Sequence, residues 1–158
     1  MLTRTIIAAI ATVAVTSAVN AENLVPADPW EVIHIAREHG RASVTKDKLR
    51  DPIILAEAHG LKYGIEFYGC NLGRDCATIL FRTRLFEGRG RSRHISGNDL
   101  DDWNGTKLFG RAVLDDSGRP VLEHPVAMGP GLPQDTMRAN FEAWVTALEQ
   151  FANHVDFK

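Results

Sequence analysis

Leu61-Lys62-Tyr63-Gly64-Ile65-Glu66-Phe67-Tyr68 alternates: Leu61, Tyr63, Ile65 and Phe67 fall on one side, Lys62, Gly64, Glu66 and Tyr68 on the other. Period two with one apolar side is the pattern of a strand half-buried in a sheet. Gly69 and Cys70 follow, and then Asn71-Leu72-Gly73-Arg74-Asp75 leads to Cys76. Asn, Gly and Asp are turn formers because they accept positive φ or bond their own backbone. Beyond them residues 77–86 resume as a strand, with Ile79, Phe81 and Leu85 on one side and Arg82 and Arg84 on the other. The stretch therefore predicts a hairpin whose shoulders are Cys70 and Cys76, close enough to pair. A redox couple favours CxxC spacing, and no nearby His completes a metal set. The pair reads as a structural disulfide.

Working outward, Asp28-Pro29 has the form of an N-cap followed by proline at the first helical position, and Trp30, Ile33, Ala36 and Arg37 follow at helical spacing up to Gly40. A helix is predicted over 29–39. Residues 41–51 are rich in cations and show no clear period, so at most part of them is an irregular strand. Ile53 to Ala58 is a short strand candidate, and His59-Gly60 a turn. After the polar, glycine-rich loop 87–97, Ser96 or Asn98 caps a short helix ending near Trp103, with a turn at Asn104-Gly105. Residues 108–114 and 121–128 read as strands joined by Asp115-Asp116-Ser117-Gly118, with Pro125 marking an edge or a bulge. Met137, Phe141, Trp144, Val145, Leu148, Phe151, Ala152 and Val155 recur at spacings of three and four, so a helix over about 133–155 packs one continuous stripe on the sheet. The expected fold is α+β. A mostly antiparallel sheet of about five strands carries the N- and C-terminal helices on one face, in the order α-β-β-β-α-β-β-α.

The chain opens on Arg4, an uncharged run from Ile6 to Val19, and Val19-Asn20-Ala21 before Glu22. This is the layout of a secretory signal peptide cleaved after Ala21. Residues 22–158 then form a single domain, periplasmic or secreted, where cysteines pair by default. Losing residues 1–21 removes one cation and no acid, so the mature chain stays mildly acidic. Such a balance offers no general attraction to nucleic acid or anionic lipid, and no stable membrane insertion is expected after cleavage.

No catalytic constellation stands out. Asp99, Asp101 and Asp102 lack the alternation and distal Glu of a calcium loop, and they sit where acids cap a helix. The six histidines form no close pair, and no serine has a nucleophile-elbow context. Neither a metal nor a cofactor is expected. Arg89, Arg91 and Arg93 are candidates to grip an acidic peptide or a phosphate-bearing ligand. Trp103 and Asn104 are candidates either for partner recognition or for closing the core around the short helix.

Three stretches are similar to the bacterial YbjN family. They are Gly64 to Cys70; Leu100-Asp101-Asp102-Trp103-Asn104 followed by Leu108-Phe109-Gly110-Arg111-Ala112; and Phe141-Glu142-Ala143-Trp144 through Phe151. The resemblance runs over roughly residues 29–155 and implies a fold like that of type III secretion chaperones. It also implies a role in sensory transduction regulation, and it carries no agreed catalytic residues. His124-Pro125 stands where the family usually has an uninterrupted strand, and Arg89 to Arg93 is an unusually basic loop. The expected function is an exported, non-enzymatic binding module, a chaperone-like adaptor or regulator whose partner is another protein or a peptide; a homodimer fits the same fold. The alternative is an envelope hydrolase or metal-dependent enzyme with an unfamiliar site.

Overall fold

Asp28 starts the first helix as the sequence predicts: its carboxylate accepts a hydrogen bond from the Trp30 N–H at 2.8 Å, and Pro29 occupies the first turn. The computed structural model describes residues 24–47, 51–85 and 95–157. In chain order the elements are β1 (Leu24–Val25), α1 (Pro29–Glu38), β2 (Arg41–Lys46), β3 (Pro52–Ala58), β4 (Leu61–Tyr68) and β5 (Thr78–Thr83). They continue with α2 (Gly97–Thr106), β6 (Arg111–Leu114), β7 (Pro120–Ala127), β8 (Leu132–Pro133) and α3 (Gln134–His154). Six strands form one antiparallel sheet in the order β2-β3-β4-β5-β7-β6, and β1 pairs with β8 in a separate two-stranded ribbon.

The α+β class and the helix positions are as expected; the strand count is corrected. Arg41–Lys46 is a regular strand paired with β3 from Arg41↔Glu57 to Lys46↔Pro52. Its period is weak in the sequence because an edge strand buries little: only Ala42 and Ser43's other neighbour on the helix side, Val44, are partly covered. The turn expected at Asn104-Gly105 does not form. Helix α2 runs on to Thr106, opened by a capping box in which Ser96 and Asp99 satisfy each other's backbone N–H groups. The strand expected from residue 108 begins only at Arg111. Strand β7 runs unbroken through His124-Pro125 and lies inside the sheet. The edge at Pro125 is local: β6 pairs with β7 only as far as Glu123, so no neighbour stands on that side of the proline.

Both large helices lie on one face of the sheet, where Ile54, Tyr63, Ile65, Phe67, Ile79, Phe81, Leu122 and Val126 meet Met137, Phe141, Trp144, Leu148 and Phe151. The stripe read from the sequence is this buried side of α3. Phe81 packs edge-on against Phe141 with ring centres 4.9 Å apart and leans on Trp144 at 5.3 Å. The opposite face is a charge ladder: Arg41–Glu57 at 2.9 Å, Arg84–Glu66 at 3.5 Å and Arg82–Glu123 at 3.1 Å. Among the described residues no helix is long and apolar enough to cross a membrane.

Candidate functional site

The hairpin expected between the cysteines is present, and it builds one wall of a groove. Cys70 and Cys76 are joined by a disulfide with Cα atoms 3.8 Å apart. Inside it Asn71 and Arg74 exchange backbone hydrogen bonds of 2.7 and 3.0 Å, and Leu72 and Gly73 take the left-handed conformation at φ 51° and 78°. A two-residue turn with both φ positive matches the twist of the flanking strands, and Gly73 adopts it freely. The turn is tied to the start of α1: the Cys76 N–H donates to the Ala27 carbonyl at 3.2 Å, and the Arg74 guanidinium lies 3.5 Å from the Asp28 carboxylate.

This tie brings two large apolar side chains into the open side by side. Trp30, on the outer side of α1, is 59% exposed, and Leu72, at the tip of the cross-linked turn, is 98% exposed. Between them lies a groove of about 500 Å³ whose lining includes Trp30, Val44, Lys46, Asp51, Leu72 and Arg74. A single exposed leucine is ordinary, as at Leu108, but two large apolar side chains lining one groove make it a candidate contact patch. The helical spacing places Trp30 among the core positions of α1, but Pro29, Val32, Ile33, Ile35 and Ala36 fill the interface instead. Leu72 is passed over in the sequence because it sits among turn formers. The signal was a leucine where a polar residue would serve.

The residues singled out from the sequence lie elsewhere. Arg89, Arg91 and Arg93 fall outside the described residues. Trp103 is buried, its indole N–H donating to the Gly110 carbonyl at 3.0 Å and its ring edge-on to Phe151 at 5.2 Å. Asn104 is surface-exposed, and its amide donates to the Ala112 carbonyl at 2.9 Å and accepts from the Ala112 N–H at 2.8 Å. Asp99 is the acid of the α2 capping box. His39, His59, His124 and His154 are distributed over separate contacts, and among the described residues no three His, Cys, Asp or Glu groups gather to hold a metal ion.

The titrating groups follow local chemistry rather than a shared site. His124 stacks on Phe109 with ring centres 3.7 Å apart, and burial lowers its pKa, partly offset by a hydrogen bond with Asn140. Burial, then the hydrogen bond to Glu66, pushes the Tyr68 hydroxyl up to about 12. The Asp115 carboxyl is held below its usual range, chiefly by the Arg119 backbone N–H. It is the carboxylate that closes the β6–β7 hairpin.

The model of the family described as "YbjN: Putative bacterial sensory transduction regulator" matches residues 31–157. The crystal structure of YbjN from E. coli, "a putative transcription regulator", is similar to this chain with 16% sequence identity and a TM-score of 0.42. That similarity covers 73% of this chain and 84% of that one. No match is found among the curated proteins. With the family's model spanning most of its length, from α1 through the end of α3, the chain belongs to the YbjN family.

Proposed function

We propose that this chain is a non-enzymatic binding module, an exported adaptor or sensory transduction regulator, and that it takes its protein or peptide partner at the Trp30–Leu72 groove. The observation that carries the reading is the pair of exposed apolar side chains placed on either side of one groove, by the N-terminal turn of α1 and by the disulfide-closed turn. A tryptophan presented on an ordered element binds at low entropic cost, and a few such aromatic anchors carry most of an interface's energy. The family's description as regulators points the same way. A disulfide is compatible with an oxidising compartment, in keeping with a signal peptide over residues 1–21 and a single domain over 22–158. The alternative of an envelope hydrolase or metal-dependent enzyme gains no support among the described residues.

The test is a pull-down from periplasmic extract with oxidised mature protein, compared with a Trp30→Ala/Leu72→Ser variant whose thermal unfolding is unchanged. A partner captured by the first and lost by the second is the expected result. A partner retained by the variant would move the site elsewhere, for which the Arg89/Arg91/Arg93 loop is the next candidate. No partner at all would overturn the binding-module reading.

A further inference from the structure

Asn104-Gly105 is the one Asn-Gly step in the chain, and the turn it predicts is replaced by the last turn of α2. The fold does not ask for that glycine. Its φ is not positive, a Cβ on it would meet nothing within 4 Å, and glycine weakens a helix relative to alanine. The same step is the most reactive setting an asparagine can have. Glycine puts no side chain beside its own backbone nitrogen, and its free backbone lets that nitrogen reach the side-chain carbonyl carbon before it. The nitrogen gives up its proton to water or hydroxide and bonds to Cγ. The bond from Cγ to Nδ2 breaks, and Nδ2 leaves as ammonia. Water then opens the cyclic imide on either side, leaving aspartate or isoaspartate. No electrons are exchanged, and water is the one reagent consumed.

In the folded chain both reacting groups are held apart. Asn104 donates from Nδ2 to the Ala112 carbonyl at 2.9 Å and accepts at Oδ1 from the Ala112 N–H at 2.8 Å, so its Cγ cannot turn toward Gly105. Helical geometry points the Gly105 N–H at the Asp101 carbonyl, four residues back. The Lys107 N–H, donating to the Trp103 carbonyl at 2.9 Å, closes the same turn. Residues 104–107 are nevertheless exposed, so water reaches them. Helix α2 buries only Leu100 and Trp103, and an element with so few buried side chains opens locally more readily than the core.

We propose that Asn104 is a latent deamidation site, locked while α2 is packed on β6 and released when that corner opens. Neither product restores the lock. Aspartate keeps an acceptor for the Ala112 N–H but sets a second oxygen against the Ala112 carbonyl, which loses its donor. Isoaspartate adds a methylene to the main chain inside the last turn of α2. The modification is therefore a permanent record of opening, and it uncovers the outward backbone groups of β6 at Ala112.

The test is peptide mass spectrometry of the oxidised protein held at mildly alkaline pH, beside the same chain unfolded in urea. In urea Asn104 should convert ahead of every other asparagine, with isoaspartate the larger product. In the folded protein its conversion should be slower by more than about tenfold, the fraction of time the corner is closed. Ser96→Ala removes the cap of α2 and should raise the folded rate about fivefold while leaving the rate in urea unchanged. Gly105→Ala should slow conversion in urea without disturbing the fold. Asn104→Asp, which copies one product, should lower the urea midpoint and speed amide exchange at Ala112. Equal rates in the folded and unfolded chain, no preference for Asn104 in urea, or full-rate conversion of Gly105→Ala there would overturn the proposal. So would a folded rate that Ser96→Ala leaves unchanged, or an Asn104→Asp midpoint equal to the parent's.

Discussion

Asn104 shows what one side chain does when both ends of its amide meet the backbone of one residue. It anchors α2 to β6 and blocks that edge with 2.9 and 2.8 Å hydrogen bonds to Ala112. Asn104→Leu should cost roughly 2 kcal/mol in urea unfolding, since two backbone groups lose their partners. An unchanged midpoint would show that water replaces the amide without loss. Tyr63 is the reverse case: its buried hydroxyl has no hydrogen-bond partner among the described residues, and burial raises its pKa. Tyr63→Phe should therefore match the parent or gain up to about 1 kcal/mol, because the desolvated hydroxyl gives nothing back. His124 is predicted from its sign. Its folded pKa lies below the unfolded value because burial beside Phe109 disfavours the charge, so the unfolded chain binds more protons. The stability this contributes is full above about pH 6.5 and is lost as pH falls through that value toward the lower folded pKa. Midpoints measured between about pH 7.5 and 5 should fall, and His124→Phe should flatten part of that fall.

Among the elements, α3 was the most legible. Its stripe spans five turns, and a long amphipathic period survives any local ambiguity. The hairpin at the cysteines was legible for a different reason: turn chemistry and spacing act within a few residues. Closing this short loop restricts the unfolded chain, so Cys70→Ser/Cys76→Ser should lose about 2 kcal/mol. The same variant should expose the Ala27–Cys76 contact to faster amide exchange, since the Cys76 N–H donates to Ala27. Unaltered stability would mean that the Asn71–Arg74 turn and the Arg74–Asp28 ion pair hold the hairpin without the bond. Strand β2 was half-hidden because, as an edge strand, it has no continuous apolar side for a period to reveal. What makes it a strand is close backbone approach. A Cβ at Gly40 would lie 1.9 Å from the Glu57 carbonyl oxygen, so only glycine lets the chain turn from α1 straight into pairing with β3.

At the scale of the molecule, the sheet is covered by helices on one face and carries an ion-pair ladder on the other, with β2 and β6 as its outer strands. If residues 1–21 are a signal peptide, protein recovered from the periplasm should have the intact mass of a chain starting at Glu22, lower by two hydrogens for the disulfide. A mass retaining Met1 would overturn export by cleavage. The sequence by itself determined the α+β class, the cross-linked hairpin, the cap of α1 and the buried stripe of α3, and it narrowed the cap of α2 to Ser96 or Asn98, because each rests on period, propensity or spacing within about twenty residues. It did not determine which large apolar side chains the core would leave out. Trp30 has the helical spacing of a core residue and Leu72 the setting of a turn residue, and only the packing of α1 on the sheet and the tie from Arg74 and Cys76 to Asp28 and Ala27 bring them to one groove. The place of β2 at the edge was likewise decided by tertiary structure, because an edge exists only once strand order is known, and strand order comes from contacts far apart in the chain.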